Sequence, residues 1–291
     1  MIPLMQAEFF KLRKRMMTWV VALILVGLIV LLYSVLWSVS GRVTTFGSEH
    51  QFTGEQLRRA LFLSGSVPFS LEIVGTFGVL LAVILAAGAV GSEYSWGTVR
   101  LVATASSGRL RTMGAKLIVV FGLVAAGTVL AIATALLYSS VITFTSGGSD
   151  FDFVTGAFIR DQFEALGRTL FVLVPYIGLA FGAAVVGRST LAGAGAGIGV
   201  AFMEPLVGGL MRLGDEPWKT IPNYFINANA QVILLQNALP DALPRFGPGR
   251  HELTSRAANS PEVAAIVLVA YAAVFLALAF YLYRRRDITA D

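Results

Sequence analysis

Six runs of roughly twenty apolar residues limit what this chain can become more than any other feature does. They are Trp19–Trp37, Ile73–Val90, Leu117–Leu137, Leu170–Val186, Leu191–Leu210 and Val263–Tyr283. About 20 such residues in a helix cross the roughly 30 Å of a bilayer's hydrocarbon core. In hydrocarbon each backbone amide must be satisfied within its own segment, so runs of this length are helices. The short alternating segments of a membrane barrel are absent from the sequence. Only 13% of residues are charged, about half the share of a soluble domain. The expectation is an all-α integral membrane protein with a single transmembrane domain over residues 1–291 and no nucleotide-binding domain.

Charge placement gives an orientation. Six spans put both termini on one side. That side carries Lys11, Arg13, Lys14, Arg15, Arg100, Arg109, Arg111, Lys116, Arg188, Arg284, Arg285 and Arg286 against Glu8, Glu93, Asp287 and Asp291. The opposite side is net acidic. The positive-inside rule then places both termini in the cytoplasm of a plasma membrane. Anchoring to anionic lipid accounts for these charges without nucleic acid. The first apolar run is too long for a signal-peptide core of about 7–15 residues, so a retained span is expected.

Leu4, Met5, Phe9, Leu12 and Met16 recur at three- and four-residue steps among Glu8, Lys11, Arg13, Lys14 and Arg15. Residues 1–16 therefore read as an amphipathic interfacial helix, aromatics toward lipid and basic heads toward water. A solvated basic tail is the plainer alternative. Residues 38–70 read as an outer loop in which Thr53 caps a short helix, with Pro68 preceding the second span and Glu72 at its outer edge. The passage 91–116 begins Gly-Ser-Glu-Tyr-Ser-Trp-Gly-Thr-Val-Arg. Ser106 or Ser107 is a candidate N-cap for a short helix to Lys116, lying parallel to the membrane.

Residues 141–166, rich in Thr, Ser, Gly and Asp, read as a second outer loop. Pro175 predicts a kink in the fourth span, and Gly187-Arg188-Ser189-Thr190 a tight turn into the fifth. Gly193/Gly197 and Gly195/Gly199 are two small-xxx-small pairs, which fit either packing within the chain or a dimer face. Glu204-Pro205 reads as the point where the fifth span breaks and the chain turns back. Residues 211–261 form a long outer insertion, whose segment from Ala230 to Leu239 is too short to span. It is expected to be a re-entrant or surface-lying helix.

Several chemistries lack their residues. There is no cysteine, hence no disulfide and no thiolate metal ligand. No phosphate-binding Gly-rich loop with Lys-Ser/Thr, no His-Glu-x-x-His and no Gly-x-Ser-x-Gly occurs. Both histidines, His50 and His251, fall in outer loops. Charged residues inside the apolar runs are nearly confined to Glu204, which argues against ion-coupled carriage. The chain is expected not to be an enzyme by itself.

Together, the basic N-terminal helix Glu-Phe-Phe-Lys-Leu-Arg-Lys-Arg, six spans with a long insertion before the last, and Glu93-x-x-x-Gly97-Thr98 after the second span resemble the membrane subunit of type-2 ABC exporters. In outline the resemblance covers the whole chain. It implies that family's permease fold, with an interfacial helix at residues 2–16 that includes Phe9, Lys11 and Arg13, and a coupling helix near Ser106–Lys116. It implies a dimer with a second copy or a related permease, and two separate ATPase subunits that hold ATP and Mg on the cytoplasmic side of a bacterial plasma membrane.

Glu93, Tyr94, Gly97, Thr98, Arg100, Arg109, Leu110 and Arg111 would form the ATPase-coupling surface. Glu93 could equally be an internal brace. The resemblance also places a substrate pathway between protomers, along the second and fifth spans, near Phe77, Val79, Leu80, Phe202, Met203 and Glu204. That lining suits a lipophilic or amphipathic cargo such as an antimicrobial compound, a peptide or a lipid, and so a role in antibiotic resistance. A non-transporting sensor or resistance subunit and an ion-coupled carrier are the other readings.

Overall fold

The computed structural model describes residues 1–42, 54–95, 108–146, 151, 153–237 and 259–285. No strand occurs among them. Six helices are long and apolar enough to cross a membrane, the make-up of a multi-pass membrane protein. In chain order the α-helices are α1 (Ile2–Arg13), α2 (Met16–Ser40), α3 (Gly54–Leu61), α4 (Leu63–Ile73), α5 (Val79–Ser95), α6 (Arg109–Thr145), α7 (Gly156–Gly187), α8 (Thr190–Met211), α9 (Ile226–Leu234) and α10 (Pro261–Arg285). A π turn over Val74–Gly78 joins α4 to α5, and a 3₁₀ turn over Ile221–Tyr224 precedes α9. The second span is thus one rod, α4 through α5, with a wide turn in its middle.

Burial ranks the spans. The second and fourth have 72% and 61% of their apolar windows buried, against 11–28% for the other four. They form the centre, and α2, α6, α8 and α10 pack around them. Lipid gives apolar side chains no reason to leave it, so close packing and hydrogen bonds must hold spans together. Tyr33 donates to the Ser66 carbonyl at 2.9 Å and stacks at an angle on Phe69. The hydroxyls of Ser34 and Tyr138 join α2 to α6 at 2.7 Å.

Gly193 and Gly197 are buried, and side chains there would run into Ala87, Ala180, Ala184 and Val83 of α5 and α7. Around Gly195 and Gly199 there is open space. The first glycine pair therefore packs within the chain and the second faces outward. Gly91 lies against the backbone of Ser189 and Thr190, so only glycine allows α5 to meet the α7–α8 turn. In that turn Arg188 is left-handed (φ 49°) and the Ser189 hydroxyl accepts from the Leu191 amide, as expected of a tight turn.

Several boundaries differ from the sequence reading. Among the described residues, the expected short helix to Lys116 is not separate from the third span. From Arg109 the backbone runs without a break for 37 residues, because charged residues end an apolar run without ending a helix. Its N-cap position is Gly108, while Ser106 and Ser107 lie outside the described residues. Much of the expected second outer loop, residues 141–166, is helical: the third span continues to Thr145 and α7 starts at Gly156.

Pro68 lies inside α4, which starts at Leu63, and Glu72 is consequently buried at 3% exposure rather than at an edge. The α4 start is held from across the fold: the Leu63 amide donates to Thr143 Oγ1 at 3.3 Å. The α3 helix is present, and its expected cap Thr53 lies outside the described residues. Pro205 lies inside α8, which continues to Met211, so the fifth span does not break there. A membrane helix tolerates the one hydrogen bond that proline removes when neighbours compensate. The short helix of the insertion spans Ile226–Leu234, starting and ending earlier than expected, and its last six residues are all buried.

Candidate functional site

The N-terminal helix α1, expected to be amphipathic, packs against the rest of the fold. Glu8 and Leu12, one turn apart, face inward from α1, and Lys11 shares the Glu8 side. Phe9, Phe10 and Arg13 are exposed. α1 packs on the first turns of α6, where Lys116 points back at it. The end of α5 brings Glu93 between them.

Four ion pairs close a ring. Lys11 Nζ lies 2.8 Å from Glu8 Oε1 and 2.8 Å from Glu93 Oε1, and Lys116 Nζ lies 2.5 Å from Glu8 Oε2 and 2.7 Å from Glu93 Oε1. The side chains of Glu8, Glu93 and Lys116 are only 5–6% exposed, while that of Lys11 is 36% exposed. Two cations and two anions cancel, which is the condition under which charges can stay buried. Burial pulls the Lys11 ammonium down, but the hydrogen bonds it donates to Glu8 and Glu93, and their charges, outweigh it and hold it above its ordinary value. Beside the ring Arg15 reaches α5, donating to the Gly88 carbonyl at 3.1 Å and to the Ser92 hydroxyl. Three segments far apart in sequence are tied at one point.

A second feature lies along the central span. A cleft of about 510 Å³ is lined by Phe77 and Leu80 from the second span, Phe202 and Leu206 from α8, Tyr176 from α7 and Gln231 from α9. The π turn Val74–Gly78 forms part of its wall. Such turns widen a helix locally and often mark functional positions. The cleft is mainly apolar with a few amide and hydroxyl groups, the chemistry of a site for an amphipathic molecule.

Glu204 does not line that cleft. It caps the buried short helix: Oε1 accepts from the Ile226 amide at 3.0 Å and Oε2 from the Asn227 amide at 2.7 Å. The first amides of a helix lack internal partners, and the local N-cap, Phe225, offers no side-chain acceptor. A carboxylate there also meets the positive end of the helix dipole. Asn229, fully buried, donates to the carbonyls of Asn223 and Phe225, and Asn259 donates to Asn223 and Asn229. Thus α9 is clamped at its start by α8 on one side and the α10 approach on the other. Glu204→Ala is expected to cost about 2–3 kcal/mol, read as faster hydrogen exchange over Ile226–Gln231 with the α1–α6 contact unchanged. Glu204→Gln retains one acceptor and should cost less.

Residues 64–289 match the family model DUF2705, described as a protein of unknown function. That is more than three quarters of the chain. The chain belongs to the DUF2705 family. No curated protein matches it. The match takes in Glu93, Lys116, the cleft and Glu204. It begins after α1 and α2, so the ring joins two residues inside the family region to two outside it.

The residues expected from sequence divide into three groups. Glu93 and Lys11 meet in the ring, and Phe77, Leu80 and Phe202 meet at the cleft. Leu110 and Arg111 are exposed on the first turn of α6, Tyr94 packs on the small core of Val90, Met113 and Phe181, and Met203 is exposed apart from the cleft. Gly97, Thr98 and Arg100 lie outside the described residues, as does the Arg109 side chain. Sequence reasoning missed Glu8, Lys116, Arg15 and Ser92 as site residues. Only the three-residue step from Glu8 to Lys11 hinted at a pair.

Proposed function

We propose that this chain is the permease subunit of a bacterial exporter driven by a separate ATPase, with both termini in the cytoplasm. The observation that carries the reading is the ring around Glu93. Glu93 opens the Glu-x-x-x-Gly-Thr element that resembles type-2 ABC permeases. Its carboxylate is bonded to the N-terminal helix and to the start of α6. Force applied by a partner at the segment after Ser95 would reach three helices through this one knot. The sequence lacks the Gly-rich phosphate-binding loop with Lys-Ser/Thr, and in this reading ATP and Mg are held by the partner. The cleft between the second and fifth spans suits a lipophilic or amphipathic cargo, and the outward-facing Gly195 and Gly199 leave α8 open to a second permease.

The test is co-expression with the ATPase encoded beside it, followed by native mass spectrometry and ATP-dependent uptake into inverted vesicles. Two permeases with two ATPases, and uptake of an amphipathic dye abolished by Glu93→Gln, are expected. A stable chain that binds no ATPase, or uptake that collapses with an ionophore and ignores ATP, would overturn the proposal.

A further inference from the structure

A second cavity, separate from the ring and the cleft, runs between α2, the second span and α6. It measures about 280 Å³. Small residues, Ala22, Gly78, Ala82 and Gly127, leave the space along its floor. Its length can be read along the helices. On the second span it extends from Leu85 to Val74, about 16 Å at 1.5 Å per residue. That is close to half of the roughly 30 Å hydrocarbon thickness, the depth of one leaflet. The stated volume over that length leaves room for a single hydrocarbon chain.

The furrow has a polar end. Phe9, Arg13, Thr18 and Trp19 form its mouth, at the corner between α1 and α2. The corner is fixed: Thr18 Oγ1 donates to the Leu12 carbonyl at 2.7 Å and Trp19 Nε1 to the Arg13 carbonyl at 2.8 Å. An exposed tryptophan at the start of a span, next to basic residues, suits the headgroup level. Three basic residues lie in sequence here. Lys14 sits over the Phe10 ring at 4.4 Å, and Arg15 is turned inward to Gly88 and Ser92. Arg13 lines the mouth, exposed, with no ion pair among the described residues.

We infer that this furrow binds one anionic phospholipid from the leaflet on the α1 side, with its phosphate on Arg13 and one acyl chain along Ala82 and Gly127. A guanidinium suits a phosphate because its planar fork presents paired donors. An acyl chain covers the apolar wall to the depth at which the furrow ends. The occupant is matched at both ends, by charge and by length.

The test uses the full-length chain, delipidated in detergent and titrated with palmitoyl-oleoyl phosphatidylglycerol or the phosphatidylcholine of the same chains, read by native mass spectrometry. One retained phosphatidylglycerol per chain, preferred at least tenfold, is expected. Arg13→Gln should reduce the preference to under threefold, Lys14→Gln should leave it, and Ala126→Phe, at an exposed position on the furrow wall, should abolish retention of both lipids. Because all three positions are exposed, an unchanged size-exclusion profile is expected and separates lost binding from lost fold. Equal retention of both lipids, or equal losses in Arg13→Gln and Lys14→Gln, overturns the inference. So does inorganic phosphate competing as well as the lipid, or a dimer that Ala126→Phe dissociates.

Discussion

Lys116→Met is expected to be the most damaging single substitution in this protein, costing about 3–5 kcal/mol. It leaves the buried carboxylates of Glu8 and Glu93 with one half-exposed lysine between them. The ammonium makes the two best-buried of the four ring contacts. Glu93→Leu alone should do comparable harm by leaving two ammonium groups against Glu8. The double variant is the informative one. Removing one cation and one anion leaves the neutral Glu8–Lys11 pair, three residues apart on α1, so the double variant should be more stable than either single one. Chemical unfolding in detergent, run as a double-mutant cycle, reads this as a strong favourable coupling. Additive losses would show that the ring does not hold the fold together. A double variant that folds yet fails in the proposed ATP-dependent uptake would assign these charges to coupling rather than bracing.

The second large effect concerns α8. Gly193→Leu must place atoms where a Cβ alone would lie 2.6 Å from the Ala180 carbonyl and 2.7 and 2.8 Å from the Ala184 and Ala87 methyls. None of these is the movable end of a long side chain, so the helices must separate. Overpacking usually costs about 1–3 kcal/mol, and backbone contact puts this case at or above the upper end. Gly195→Leu, two residues on, meets nothing within 4 Å. It removes a glycine from a helix interior and should stabilise an isolated chain by up to about 1 kcal/mol. Thermal denaturation of the two variants, monitored by fluorescent size exclusion, should separate them cleanly. A collapse of Gly195→Leu confined to the assembled complex would show that a partner covers that face.

The six spans were visible in the sequence because hydrocarbon imposes a length and an apolar composition that few other environments do. Their ends were harder. The third span was expected from Leu117, where the apolar run starts, yet the helix starts at Arg109, because backbone hydrogen bonding does not require apolar side chains. Glu204-Pro205 reads in the sequence as a break because a carboxylate is costly in an apolar run, yet the helix continues through both residues to Met211. Glu204 stood out correctly as costly, but its partners are amides 22 and 23 residues away, which no local pattern encodes. Likewise Glu93 was singled out by its motif, while its partners lie 82 residues before and 23 after it. Ring closure through Glu8 is a property of how three helices meet.

The second span is attached to α6 near both of its ends. Near one end Leu63 is bonded to Thr143, and near the other Glu93 is bonded to Lys116, both on α6. The two attachment points on α6 are 27 residues apart, about 40 Å along an unbroken helix. A strut pinned at both ends to a stiff beam cannot tilt away from it. It can only travel with the beam or bow between the pins, and the one stretch of altered winding between them is Val74–Gly78, beside the cleft. Any pull on the Glu93 end is thereby focused, as flexure, on the wall of the cleft.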